Sequence, residues 1–154
     1  LSLDYYKKAS VLNPDDFSLE MNIGHCYLDL KEYDKALNSY YKIELMDKNG
    51  KKAWRPIAWT SLLSKKYDVA QKYYEQILAD KPTEHDYLNA GHVELCQGNL
   101  KKALNLYKQV VAMDNQGVDY FVLLFSEDKD VLIELGVDEA FMPMLFDQLR
   151  FVLD

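Results

Sequence analysis

Residues 24–43 read GHCYLDLKEYDKALNSYYKI, and the same pattern returns as AWTSLLSKKYDVAQKYYEQI at 58–77 and as GHVELCQGNLKKALNLYKQV at 91–110. Each stretch opens on a small residue, has an alanine twelve positions later and a tyrosine sixteen positions later, and ends on Ile or Val. The stretches are spaced by 34 and then by 33 residues. A single period shared by so many positions indicates a structural repeat.

Within each repeat the apolar residues follow the spacing of an α-helix, first before the turn in the middle of the stretch and again after it. Turn-forming residues separate the helices and the repeats, as at Asn13-Pro14, Lys48-Asn49-Gly50, Lys81-Pro82 and Gly98-Asn99. Each unit is therefore predicted to be a helix, a short turn and a second helix. The chain has six glycines and four prolines, too few for a many-stranded fold, so the expected class is all-α.

The chain resembles the tetratricopeptide repeat family. The family places a small residue late in its first helix, an alanine early in its second, an aromatic residue four positions later and a proline before the next unit. The matching positions here are Gly24/Ala58/Gly91, Ala36/Ala70/Ala103, Tyr40/Tyr74/Tyr107 and Pro14/Pro82, with Trp54 at the family's early tryptophan position. Small residues let the two helices approach closely and the aromatic ring fills the adjacent gap, so these residues are expected in the core.

Four positions depart from the family pattern. Lys48 and Asn115 stand where the proline is expected, and Glu20 and Tyr87 stand where the tryptophan is expected. The resemblance nevertheless covers about residues 1–116. It implies a right-handed superhelical solenoid of antiparallel helix pairs.

The repeat array is expected at residues 1–116, with a partial unit at about 1–16 and full units at about 17–50, 51–83 and 84–116. Residues 117–154 carry 9 acidic and 2 basic side chains, which account for the whole formal charge of -7. Bulky Leu124 and Phe125 stand where the small residue would recur, so the close helix crossing cannot be repeated there. We expect an acidic helical cap whose last helix packs through an apolar stripe formed by Phe141, Met144, Leu145, Leu149 and Val152.

The composition and motifs exclude several classes of protein. Hydrophobic residues make up 49% of the chain, enough to form a core, and an acidic chain lacks the basic face that non-specific nucleic-acid binding requires. No apolar run is long enough to span a membrane, so no membrane insertion is expected. No targeting segment is recognisable and a cytoplasmic location is expected, although the chain does not begin with Met and can be a piece of a longer protein.

No catalytic motif, cofactor site or metal site is expected, so the chain is predicted not to be an enzyme. Cys26 and Cys96 do not form a close pair and are expected to be small core residues. The histidines His25 and His92 are expected two repeats apart. His85 and His92 are separated by roughly 10 Å along one helix, too far to share a metal ion.

The resemblance implies a concave wall of first helices that binds an extended peptide or a partner helix. Asparagine amides on this wall can clamp a peptide bond, and a tryptophan with a neighbouring arginine can anchor a side chain. The predicted groove residues are Met21, Asn22, His25, Lys52, Arg55, Trp59, Leu88, Asn89 and His92.

A more specific alternative is the carboxylate clamp of one branch of the family, which binds a C-terminal carboxylate. Asn22 and Lys52 fall on two of its positions, but Pro56 occupies the arginine position and Arg55 lies one residue away. The unit that would supply the remaining residues of the clamp is absent from the sequence.

Two other functions stay open. The repeats can be a structural spacer or a self-association segment of a larger protein, with the terminal helices as contact surfaces. They can also be the regulatory part of an enzyme whose catalytic domain lies outside these residues. The leading hypothesis is a non-catalytic adaptor that binds a protein or peptide segment.

Overall fold

The computed structural model describes residues 2–153 and contains only helices and turns in that part of the chain. The predicted all-α fold is therefore confirmed. A 3-10 helix at Glu139–Phe141 precedes the last α-helix. The α-helices are α1 (Ser2–Leu12), α2 (Phe17–Asp29), α3 (Tyr33–Met46), α4 (Trp54–Leu63), α5 (Tyr67–Leu78), α6 (Glu84–Cys96), α7 (Leu100–Asp114), α8 (Val118–Glu127), α9 (Lys129–Glu134) and α10 (Met142–Leu153).

The chain divides into two compact units, residues 1–73 and residues 74–154, and α5 crosses the division. In the first unit α2 packs between α1 and α3, and α3 also contacts α4. In the second unit α6 pairs with α7, and α10 packs on α7 and α8. Each pair of consecutive helices joined by a short turn buries its apolar faces against its neighbour.

Glycine allows the paired helices to cross closely. Tyr40 is fully buried, and a Cβ atom added to Gly24 would lie 2.5 Å from Cε1 of its ring. The arrangement recurs in the second unit, where a Cβ atom on Gly91 would lie 2.6 Å from Cδ1 of Tyr107. Carbon atoms in contact sit about 3.5–4.0 Å apart, so only glycine lets the ring rest on the opposite backbone. The predicted packing roles of these two glycine–tyrosine pairs are confirmed.

The turns inside the three repeats share one backbone conformation. Lys31 (φ 59°), Lys65 (φ 63°) and Gly98 (φ 80°) are left-handed and occupy equivalent positions after α2, α4 and α6. Each of these residues donates its N–H to the carbonyl three positions earlier, and the next residue donates to the carbonyl five positions earlier. This hydrogen-bond pattern ends a helix at a residue with a left-handed backbone. That backbone conformation is strained for lysine but not for glycine.

The residues of the predicted cap share one core with the third repeat. The cluster combines Leu88, Ala103, Tyr107 and Val110 of the repeat with Phe121, Phe125, Leu132, Leu145 and Leu149 of the cap. The expected boundary near residue 116 lies in a turn formed by Asn115 (φ 56°) and Gly117 (φ 87°). The division of the chain at residues 116 and 117 stays a prediction, because the side chains on both sides of the turn pack together.

The predicted apolar stripe of α10 is wrong at two positions, since Met144 is 57% exposed and Val152 is 49% exposed. Met142, Leu145 and Leu149 are the buried residues of this helix. Met144 lies roughly 100° around the helix from Leu145 and so points away from the core. Val152 is on the buried side but lies beyond Leu149, where the core ends.

Replacement of Gly91 by Ala should lower the free energy of unfolding by about 2 kcal/mol, because the added methyl group overpacks a core that is already full. This loss should outweigh the gain of about 1 kcal/mol in helix propensity. The measurement is equilibrium urea unfolding followed by circular dichroism. In a Tyr107→Leu background the same substitution should cost less than half as much, and an equal cost in both backgrounds would contradict the close-crossing explanation.

Replacement of Lys65 by Gly should give a protein about 1 kcal/mol more stable than replacement by Ala, because both remove the charge and only glycine relieves the left-handed strain. Thermal and urea unfolding measure the difference. Lys66 is the matched control, because its backbone φ is not positive. There the glycine variant should be no more stable than the alanine variant.

Candidate functional site

The candidate residues of the first unit lie on α2 and on or just before α4. Met21 and Asn22 are half-buried and His25 is exposed, whereas Arg55 is exposed and Trp59 is half-buried. Residues four apart lie on the same face of a helix, so Met21 shares a face with His25 and Arg55 shares one with Trp59. Each helix therefore presents a polar or charged group beside a partly exposed apolar side chain, which suits the recognition of a peptide.

Lys52 lies two residues before α4 and already contacts an aromatic ring. Its ammonium is 5.3 Å from the centroid of the Phe17 ring at the start of α2. Its backbone N–H donates to Oδ2 of Asp47 over 3.5 Å. A cation–π contact at an exposed site contributes about 0.5–1 kcal/mol, so it positions the exposed lysine without neutralising its charge.

Two of the three candidate residues in the second unit lie in the core, which corrects the prediction for them. Leu88 is 1% exposed and His92 is fully buried, whereas Asn89 is half-buried. The glycine that precedes His92 brings α7 close to α6, and Phe125 of α8 covers the imidazole with ring centroids 5.2 Å apart. Buried side chains cannot contact a peptide, so Leu88 and His92 are not part of a binding surface.

The structure shows a repeated histidine–tyrosine hydrogen bond that the sequence analysis did not foresee. Nδ1 of His25 is 2.7 Å from the hydroxyl of Tyr40, and Nδ1 of His92 is 2.8 Å from the hydroxyl of Tyr107. Burial raises the pKa of both tyrosines well above the usual value, so both hydroxyls stay protonated at neutral pH. The signal in the sequence is a Gly-His pair followed by a tyrosine fifteen residues after the histidine.

His92 also links the third repeat to the cap. Its Nε2 atom is 3.0 Å from Oδ2 of Asp128, at the junction of α8 and α9. A carboxylate accepts hydrogen bonds, so Nε2 donates to Asp128, and Nδ1 shares its hydrogen bond with the Tyr107 hydroxyl. The order of groups is that of a proton relay, but the tyrosine and the histidine are fully buried and cannot reach a substrate. The chain of bonds is therefore structural.

The remaining candidates for chemistry show no arrangement that points to catalysis. Among residues 2–153, no cluster of three or more His, Cys, Asp or Glu side chains is placed to hold a metal ion. Cys26 and Cys96 are both half-buried, and burial raises the pKa of Cys96 to about 11, which keeps its thiol neutral and poorly nucleophilic. Within the same described range, no helix is both long enough and apolar enough to cross a membrane.

Removal of the Tyr107 hydroxyl should destabilise the protein more than removal of the Tyr40 hydroxyl. The Tyr107→Phe substitution leaves a buried Nδ1 atom without a partner, which costs about 1–3 kcal/mol. In the Tyr40→Phe variant His25 is exposed and water can bond its ring, so we expect a loss below about 1 kcal/mol. Urea unfolding of the two variants makes the comparison, and equal losses would contradict the difference in solvent access.

Comparison with known proteins supports the repeat interpretation. The model of the family described as Tetratricopeptide repeat matches residues 21–49, which include most of α2 and all of α3. The BBSome complex member BBS4 of Mus musculus is 23% identical over 121 residues, which is 79% of this chain and 17% of that protein. The chain thus spans only about a sixth of the length of this relative.

Solved structures of MamA share the fold. One MamA crystal structure superposes with a TM-score of 0.69 at 17% identity, covering 96% of this chain and 84% of the other. A structure of MamA from residue 41 to its end, from Desulfovibrio magneticus RS-1, gives a TM-score of 0.71 at 19% identity and covers 99% and 85% of the two chains. Residues 21–49 thus match a tetratricopeptide repeat, and the chain has the helical repeat fold of the MamA structures.

Proposed function

We propose that the chain is a non-catalytic interaction module that binds a peptide or protein segment on the exposed faces of α2 and α4. The fold supports a protein-interaction scaffold, and the similar protein BBS4 is a member of the BBSome complex. The observation that carries the proposal is the half-buried indole of Trp59 beside the exposed Arg55 on one helix face. Trp and Arg dominate the energetics of protein interfaces.

The polar groups of the surface suit the main chain and the charge of such a segment. The half-buried amide of Asn22 can donate to one peptide group and accept from another. Lys52, held over the Phe17 ring, and Arg55 add positive charge, so a segment with a carboxylate is the preferred ligand. Asn89, also half-buried, belongs to the second unit and is not assigned to this surface.

The double substitution Trp59→Ala with Asn22→Ala tests the proposal. Partners captured by the wild-type protein are identified by mass spectrometry, and the dissociation constant of the captured segment is measured by calorimetry. Loss of an interface tryptophan costs about 2 kcal/mol or more, so binding should weaken at least thirtyfold. The control variant Tyr5→Ala removes an aromatic side chain that is 68% exposed on α1 and should bind normally.

Fluorescence locates the contact directly. The Trp54→Phe variant leaves Trp59 as the sole tryptophan of the chain, and its emission should change as the captured segment is titrated in. The proposal would be contradicted if the folded Trp59→Ala, Asn22→Ala variant bound the captured segment with wild-type affinity. It would also be contradicted if binding of the segment left the emission spectrum of Trp59 unchanged.

Self-association through the terminal helices is the second candidate. Val11 and Leu12 at the end of α1 are more than 80% exposed, and Phe151 of α10 is 86% exposed. Large exposed apolar side chains favour contact with another protein surface. Light scattering over a concentration series tests this function, and a strict monomer would argue against it.

A further inference from the structure

A surface depression in the first unit lies away from the middle of α2 and α4. It is formed by two equivalent turns and the helix ends beside them, residues 31–35 at the start of α3 and residues 63–66 at the end of α4, and has a volume of about 630 Å³. Half-buried Tyr33 and Leu63 contribute apolar surface to its lining. We name this feature the turn depression.

The charge of the turn depression is positive and only partly balanced. Four lysines and two carboxylates line it. Lys35 pairs with Glu32 over 3.0 Å and Lys66 pairs with Asp34 over 2.9 Å, so each carboxylate already has a cation. Lys31 and Lys65, both exposed, have no ion pair with any residue that the structure describes.

The same two lysines hold a conformation that disfavours them. Lys31 has φ 59° and Lys65 has φ 63°, values at which a side chain is strained. A cation beside the C-terminal end of a helix is favourable, but Gly98 makes the equivalent turn after α6 with no charge at all. The turn therefore does not require lysine, and strain at an exposed position is reason to look for a function.

We propose that the turn depression binds an acidic segment of a protein partner, whose carboxylates meet the ammonium groups of Lys31 and Lys65. The apolar surface of Tyr33 and Leu63 receives an apolar side chain between those carboxylates. A nucleic acid fits less well, because its affinity depends on many phosphate contacts and this surface offers two unpaired cations on a chain with a net charge of -7. The site is independent of the binding surface on α2 and α4, and neither proposal depends on the other.

The test uses a fluorescein-labelled peptide of six glutamates with a central leucine, and its binding is followed by fluorescence anisotropy in about 0.05 M NaCl, where screening is weak. The variant is Lys31→Gly with Lys65→Gly. Two exposed ion pairs are lost, so we expect binding about tenfold weaker. The thermal midpoint should rise at the same time, because glycine relieves the strain in both turns. Loss of affinity in a more stable protein separates binding from folding.

Lys81 provides a matched control. It is exposed and left-handed, with φ 50°, but it lies outside the turn depression. Lys81→Gly should raise the thermal midpoint and leave the affinity for the peptide unchanged. A peptide in which glutamine replaces every glutamate should bind neither protein, and a rise to about 0.5 M NaCl should abolish binding of the acidic peptide.

Three results would overturn the proposal. The first is unchanged peptide affinity in the Lys31→Gly, Lys65→Gly variant. The second is an equal loss in the Lys81→Gly variant, which would show general attraction to the whole surface. The third is failure of the peptide to bind while a labelled single-stranded oligonucleotide binds through Lys31 and Lys65.

Discussion

The fold depends on the close approach of a tyrosine ring to a glycine backbone. Tyr40 lies against Gly24 in the first unit and Tyr107 lies against Gly91 in the second, and in both units a histidine next to the glycine hydrogen-bonds the tyrosine hydroxyl. The glycine sets the distance between the helices, and the hydrogen bond fixes the ring at one rotation. Every neighbouring apolar residue then has a defined space to fill, which is why the period of the sequence is strict at these positions.

The repeat period predicted the helices well because it records this crossing. The glycine and the tyrosine meet across the helix pair and the alanine of the second helix is fully buried, so the spacing of these residues reflects where both helices lie. The phase of α10 could not be obtained in the same way. Its sequence carries apolar residues on more than one side, and it packs on α7 and α8 through Met142, Leu145 and Leu149, outside the repeat period.

The candidate site was less predictable than the fold because equivalent positions in a repeat have different neighbours. His25 and His92 occupy the same position of their repeats, yet the first is exposed and the second is covered by Phe125 of the cap. When groove positions are taken from the family pattern, every repeat is assigned the same exposed residues. The pattern therefore cannot show that Phe125 buries His92. The turn depression was not predicted for a related reason. Lys31 and Lys65 occupy the turn position that Gly98 occupies in the third repeat, and the sequence pattern marks that position only as a turn.

The bond between His92 and Asp128 has a consequence for protein engineering. The imidazole has no exposed surface, so its outer nitrogen depends on the carboxylate at the junction of α8 and α9. A designer who grafts an additional repeat after residue 116 would remove both Asp128 and the aromatic cover provided by Phe125. The grafted helix would need a hydrogen-bond acceptor for Nε2 of His92. Otherwise His92 would have to be replaced by an apolar residue of similar size. The array is thus not freely modular at this end, although its period suggests that it is.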